Sequence, residues 1–569
     1  MTWKRVALTA AVLSSLAVAA LTTPMLTRSQ SGNQSASPAV LRERIKHVFI
    51  IYQENESFDH YFGSFPGADG LASASAQSHG FRQWDPLAKA WITPFRITDP
   101  DVESPDHSRP GLIAKMNGGR MDRFVAEQEK ASAKDGYGND DRRRLGQLTM
   151  TYYDCDTIPF LWKYAHTFAL FDRFFQGMTG PSTPGNIEIV AAQSGQTQAA
   201  RDPSEIVKDE GKGAGVPVEN SMDPPFGPYS EKPKEKRQIV QRYATVTLTL
   251  NGRNDRYATR DTDGVRDDLR SMSMSGKPAV PWGWYQEGYN GANRPALDGY
   301  SAHHNALQYF AYIRENSVFW NHVSTPQTLL AQIRRNALPS RGVFYVKGSN
   351  HNRFGWRPAN KSPFVQKQFI GDDDHPGEGD SDRQVAESFV ATFVNAVARS
   401  KYWKDSAIII TWDDEGGFYD HVPPPSFERC WDGHPCGDGP RVPFILISPY
   451  AKSGVVTHDL ADTASVVKFI DTVFGLPPLA SLPDEKPYMP EGPRDANARL
   501  TDLSGAFDRA RLRGQRALIP ASAAEIPDDI VNAFPARMNC TTLNIRPAHV
   551  PGSAVAPPGF APLPTQYIP

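Results

Sequence analysis

The sequence has little cysteine: four residues in 569, Cys155, Cys430, Cys436 and Cys540. That excludes a small disulfide scaffold, and none of the four has the paired spacing of a zinc site. In an exported chain they can oxidise, and Cys430 and Cys436 bracket WDGHP, a loop that could close on itself. The chain also lacks an excess of charge of either sign. Sixty-one Lys and Arg against 63 Asp and Glu leave a net charge of −2, with no basic stripe carrying interleaved aromatics, so no nucleic-acid partner is expected. No internal repeat is evident. At 40% hydrophobic and 22% charged the composition excludes a disordered or collagen-like chain and provides for a large core.

Long apolar runs are missing except at the start. There Lys4 and Arg5 precede VALTAAVLSSLAVAAL, which gives way to the polar TRSQSGNQSASP. This is the order of a secretory signal peptide with a polar linker over 1–36, and it predicts export to the periplasm or beyond. An uncleaved anchor is the alternative, but the run is short for a full span.

What is present is a series of apolar strand-like runs, HVFIIY, FALFDRFF, GVFYVKG, SAIIITW and PFILISPY. Between them lie stretches of helical periodicity such as RQVAESFVATFVNAVARS and ADTASVVKFIDTVFGL. Alternation of this kind predicts an α/β fold, a mostly parallel sheet covered by helices on both faces. Around 201–281 the texture turns charged and Pro- and Gly-rich, with one alternating run, YATVTLTL, and an insertion with partial β structure is expected there. The main domain then covers 37–518, and a Pro- and Ala-rich tail from Ile519 wraps the surface or is mobile.

Two of the strand-like runs end in oxygen-rich side chains. HVFIIYQ delivers Glu54 and Asn55, and SAIIITW delivers Asp413 and Asp414, followed by Glu415 and a glycine pair. Open α/β sheets present chemistry at the carboxyl ends of their strands. Adjacent aspartates share one site only where a strand ends and the chain curls, which the glycines permit. Buried together, such carboxylates repel, and a divalent cation removes the penalty. The same residues could instead cap following helices. In GPSTPGN, Ser182 or Thr183 stands where a helical pattern begins, as a nucleophile near free backbone N–H groups or as an N-cap. His107, His303, His304 and His375 lie in polar segments and could bind phosphate oxygens or protonate a leaving alkoxide; His421 and His458 rank lower.

With these residues assembled, the chain resembles the bacterial phosphoesterase family that holds the secreted phosphatidylcholine-type phospholipases C and the AcpA-type acid phosphatases. The motifs carrying the resemblance are ENESFDHYFG, GPSTPGN, PWGWYQEGY, DDDHPGEGD, TWDDEGGFYDHVPPP and GPRVPFILISPYAKSG, in order from about Lys46 to Leu476. The resemblance implies an alkaline-phosphatase-like core and hydrolysis through a covalent phospho-enzyme. It implies Glu54, Asn55, Asp413 and Asp414 as ligands of a divalent metal ion of unspecified identity, and Ser182 as nucleophile. It sets His107, His304 and His375 around the phosphate, with His303 the alternative within its pair. Here Pro184 is followed by Gly185 before Asn186, where the family has Pro-Asn, which leaves Thr183 open as the attacking hydroxyl.

The resulting expectation is an exported, metal-dependent phosphoric ester hydrolase, an acid phosphatase cleaving small phosphomonoesters through phosphoserine. A phospholipase C acting on phosphatidylcholine-type diesters, with peripheral membrane contact and the aromatics of PWGWYQEGY as an apolar approach, is the alternative. A non-catalytic metal-binding surface protein is a third.

Overall fold

The strand-like runs are strands because their central positions are apolar on both faces and so are buried from both sides. His47–Gln53 (β1) and Ser406–Trp412 (β6) are buried along their whole length. With Ala169–Phe171 (β2), Trp282–Gln286 (β3), Val323–Ser324 (β4), Gly342–Lys347 (β5), Phe444–Ile447 (β7) and Val455–Thr457 (β8) they form one sheet, ordered β8-β2-β7-β6-β1-β5-β3-β4. β7 alone runs antiparallel to its neighbours. The computed structural model describes residues 37–208, 213–228, 237–253, 262–291, 294–314, 316–377, 379–427, 437–552 and 556–563. The expected signal segment and the loop between Cys430 and Cys436 lie outside these residues.

Six helices position the site and the surfaces around it: Phe124–Lys134 (α1), Asn139–Leu148 (α2), Pro159–Thr167 (α3), Ser182–Ala191 (α4), Arg383–Ala398 (α5) and Thr463–Phe474 (α6). α6 packs against α4, and α3 against α5. The sequence marks their ends. Asp382 caps α5 through the amides of Gln384 and Val385; α6 opens on a capping box of Asp462 and Ser465 and stops at Gly475, whose φ of 67° suits glycine. The result is an α/β architecture, a mostly parallel sheet flanked by helices.

Two local expectations change. YATVTLTL does not form a strand: Val246–Leu250 is a short helix, buried on every side. Alternation specifies a strand only beside a free sheet edge, and here Thr249 turns its hydroxyl back onto the Val246 carbonyl at 3.0 Å, a helical contact. Among the described residues of 201–281, β structure is confined to single bridges such as Ile206 with Val216. PWGWYQEGY is not an exposed approach either, because Trp282, Trp284 and Tyr285 are buried in β3. The C-terminal tail does wrap the body. Ile526, Val531 and Ile545 join the core, Asn395 exchanges hydrogen bonds with the Ile526 backbone at 2.7 and 2.9 Å, and Cys540 is disulfide-bonded to Cys155. No helix of the described residues is long and apolar enough to cross a membrane.

Candidate active site

Sheet order sets the site. β6, β1 and β5 are neighbours and parallel, so their carboxyl ends bring Asp413 and Asp414, Glu54 and Asn55, and Lys347 to one edge. Just past β1 the chain turns sharply: Asn55 adopts φ 60°, a conformation Asn tolerates better than most residues. Past β6, Gly416 has φ 66° and packs so closely that a Cβ there would lie 2.1 Å from the Asn55 carbonyl oxygen. α4 then crosses the same edge. It approaches at Gly185, where a Cβ would meet the Asp413 carbonyl at 2.3 Å, and Asn186 ties it down by donating to Asp413 Oδ2 at 2.8 Å.

The side chains fall into two groups joined through Asp413. In the first, the Asn55 amide is held between acceptors and imidazoles. One of its end atoms lies 3.1 and 3.2 Å from the Asp414 oxygens and 3.3 Å from Ser182 Oγ; the other lies 2.9 Å from His375 Nε2 and 3.3 Å from His107 Nε2. Beside carboxylates alone the amide nitrogen belongs on the Asp414 side, and beside a cation the oxygen does. In the second group Glu54 Oε1 forms an ion pair with Lys347 Nζ and lies 3.1 Å from His304 Nδ1; Lys347 also reaches Asp413 Oδ2 at 3.4 Å. The buried Oε2 of Glu54 accepts no hydrogen bond among the described residues.

The two hydroxyls of GPSTPGN diverge. Ser182 Oγ faces Asn55 at 3.3 Å from the first turn of α4, whereas Thr183 Oγ1 donates to the His303 carbonyl at 3.3 Å. Ser182 thus stands in the oxygen-rich group and Thr183 outside it. The His303 ring packs 4.1 Å from that of His304. The site opens through a mouth of about 370 Å³ bordered by Asp106, His107, Tyr137, Pro181 and Asn220.

Burial governs the charges. It pushes the Glu54 and Asp414 carboxyls well above the usual carboxylate range, and the neighbouring Asp413 adds to both shifts. Burial opposes the Lys347 ammonium, but Glu54 and Asp413 more than offset this and hold it above its ordinary value. The histidines separate. His375, disfavoured by burial, is carried up to about 9 by Asp380, 3.1 Å from its Nδ1. His107, buried and close to His375, falls to about 4. Its Nδ1 lies 2.9 Å from the Pro105 carbonyl, which only accepts, so Nε2 carries the lone pair toward the site. A carboxylate oxygen without a hydrogen bond among the described residues, carboxyls raised beside Asp413 and an amide facing them give Glu54, Asn55, Asp413 and Asp414 the oxygen donors that a divalent cation takes, with Lys347 standing against Glu54 and Asp413 where such a cation would compete with it.

Sequence reasoning overlooked Lys347 and Asn186, although both lie in segments it quoted; a buried lysine closing a strand is the signal that was available. A second charged cluster accounts for His421 and His458. Arg441 bonds Asp420 at 2.9 Å and Asp59 at 3.1 Å, and its Nη1 donates to the carbonyls of Asp69 and Asp172 at 2.7 Å each. His421 Nδ1 meets Asp59 Oδ2 at 2.6 Å, and the exposed His458 meets Asp172 at 2.8 Å. Asp59, Asp420 and His421 are close enough together to hold an ion, but Arg441 already supplies their cation.

The Phosphoesterase family model matches residues 45–477, a span holding every residue of both clusters. The chain belongs to the Phosphoesterase family. Among relatives of this phosphoesterase, Phospholipase C B of Mycobacterium tuberculosis is 25% identical over 474 residues, covering 76% of this chain and 74% of its own. Non-specific phospholipase C1 of Arabidopsis thaliana is 36% identical over 451 residues, covering 75% of this chain and 64% of its own. A phosphonate monoester hydrolase of Silicibacter pomeroyi is 14% identical over 66% of this chain and 74% of that one; its TM-score of 0.24 is too low to bear on the site. The phosphoesterase is a phosphoric ester hydrolase.

Proposed function

We propose that the chain hydrolyses phosphomonoesters through a phosphoserine formed at Ser182, as an acid phosphatase does. The observation that supports this reading is the place of Ser182 Oγ, at the start of a ten-residue helix and 3.3 Å from Asn55, with His107 and His375 on the far side of the same amide. The helix N-terminus and the His375 imidazolium attract a phosphate dianion into the group. Ser182 Oγ gives its proton to the hydrogen-bonded Asp414 carboxylate and attacks phosphorus, the ester P–O bond breaks, and the departing alcohol takes the proton that His375 Nε2 carries. Water then attacks the phosphoserine and gives a proton to His107 Nε2, the P–Oγ bond breaks, the serine takes its proton back from Asp414, inorganic phosphate leaves, and exchange with solvent returns both histidines to their starting states. A divalent cation held by Glu54, Asn55, Asp413 and Asp414 would lower the pKa of the serine hydroxyl and offset charge on the phosphate.

The second reading is a phospholipase C, favoured by the names of the relatives. It uses the same attack on a phosphodiester, with diacylglycerol leaving.

Purified protein assayed side by side on p-nitrophenyl phosphate and on phosphatidylcholine micelles, with and without chelator, tests both. Fast monoester cleavage that chelator abolishes is expected, whereas preferential turnover of the lipid transfers the assignment to the second reading. Ser182→Ala should lower turnover about a thousandfold or more in a folded protein and leave no trapped phospho-enzyme. Near wild-type turnover in that variant would make Ser182 the wrong nucleophile.

A further inference from the structure

Outside the main sheet, a hairpin of Gln83–Asp85 and Ala90–Ile92 displays two tryptophans outward. Trp84 is 42% exposed and Trp91 58%, against 1% for Gln83 and Asp85 and 7% for Ile92 on the inner face. The two are directly cross-strand, with ring centroids 5.6 Å apart and planes at 67°. Their exposure is built in. Gln83 accepts from the Val125 amide at 3.2 Å and donates to the Met121 carbonyl at 3.0 Å, while Asp85 accepts from Gln147 at 2.7 Å. The inner face of the hairpin is therefore bolted to α1 and α2, and the indoles cannot turn inward.

A fixed pair of exposed indoles needs a partner with an apolar body and polar groups at the same level. Exposed Arg82 lies with its guanidinium carbon 5.5 Å over the Trp91 ring, and exposed Lys89 stands in the turn. Neither forms an ion pair among the described residues, although the chain as a whole carries a net −2. Beside Trp91 a cavity of about 480 Å³ continues the apolar surface along Ile92, Phe95 and Pro557, with Arg143 at its rim. Indole pairs with unpaired cations match the headgroup zone of a bilayer, where Trp is enriched and cations meet lipid phosphates. The edge-on pairing offers no flat platform for stacking a sugar.

We infer that this hairpin docks the protein on the interfacial zone of a phospholipid bilayer, Trp84 and Trp91 entering it and Arg82 and Lys89 meeting lipid phosphates. The docking holds whichever phosphoric ester is cleaved. It also ties the mouth to the lipid surface, because the helix pair that anchors the hairpin also reaches the mouth: Gln128 of α1 accepts from the Asp106 amide at 2.8 Å.

The test is flotation of the purified full chain with phosphatidylcholine vesicles, with and without phosphatidylglycerol. Wild type should float, more strongly with the anionic lipid. W84S/W91S should lose about tenfold in bound fraction. R82E/K89E should lose the gain from phosphatidylglycerol, and W84F/W91F should keep most of the binding. All should turn over p-nitrophenyl phosphate at the wild-type rate, which separates this outcome from a damaged fold. Wild type that does not float would overturn the inference, as would equal flotation of W84S/W91S, which would place binding elsewhere on the chain. So would a wild-type dimer in sedimentation velocity that W84S/W91S dissociates, since the face would then belong to a second copy.

Discussion

Two buried charged clusters, built from the same two segments of chain, contrast sharply. Glu54 and Asn55 lie at the end of β1, and Asp59 a turn later; Asp413 and Asp414 lie at the end of β6, and Asp420 and His421 just beyond. In the farther cluster Arg441 is shared between two carboxylates and two backbone carbonyls, and His421 bridges toward a third carboxylate, Asp69, at 3.4 Å. Each charge there has its opposite. In the nearer cluster Glu54 and Asp414 are driven well upward beside Asp413, and Glu54 Oε2 has no hydrogen-bond partner among the described residues; in the farther one burial also raises Asp420, to about 6, but Arg441 opposes the shift. Matched buried charges hold a shape, whereas unmatched ones mark where something charged is meant to arrive.

The comparison is broken most forcefully at its cation. Arg441→Met leaves Asp59 and Asp420 buried against an apolar chain and should cost about 3–5 kcal/mol in urea unfolding, with the KM for p-nitrophenyl phosphate unchanged. A KM shift as large as the stability loss would merge the two clusters into one functional unit.

His421 sharpens the contrast through pH. Burial opposes its charge, but Asp59 and Asp69 overcome this and raise it to about 9. A histidine raised in the folded state stabilises fully below its ordinary value and loses that contribution as pH climbs through the raised one. Wild type should therefore exceed His421→Gln by about 3 kcal/mol at pH 6, and most of the margin should vanish by pH 10. A margin independent of pH would show that His421 acts by packing.

The smallest expected effect lies on the functional side. Lys347→Met removes the ammonium beside Glu54 and Asp413, but Glu54 can take up a proton, so chelated protein should lose only about 1–2 kcal/mol. Adding a divalent cation should recover more stability in the variant than in wild type, as read by thermal unfolding. Equal recovery would separate Lys347 from the cation site.

Much of this was legible in the sequence because it rests on local patterns. The buried strands and their polar ends need only period, length and composition, and these are what bring Glu54, Asn55, Asp413 and Asp414 forward as candidates. Lys347 and Arg441 did not stand out, because a single cation in an apolar segment says nothing until the sheet order places carboxylates beside it. The helix Val246–Leu250 escaped for the converse reason: its alternation is real, but no strand lies alongside to use it. Ser182 and Thr183 part at a helix start, one hydroxyl toward Asn55 and the other toward the His303 carbonyl, a difference of facing that local sequence does not carry.

The bond between Cys155 and Cys540 also orders events in time. Its partners are 385 residues apart, so it cannot form until almost the whole chain has left the ribosome. Until then the surfaces that receive the tail are bare: Ser388 and Asn395 on α5 lack the Val531 and Ile526 carbonyls, and Lys163 on α3 lacks that of Ala523. The faces of α3 and α5 thus gain these partners only when the tail arrives, and the bond to Cys155 then holds the tail against them.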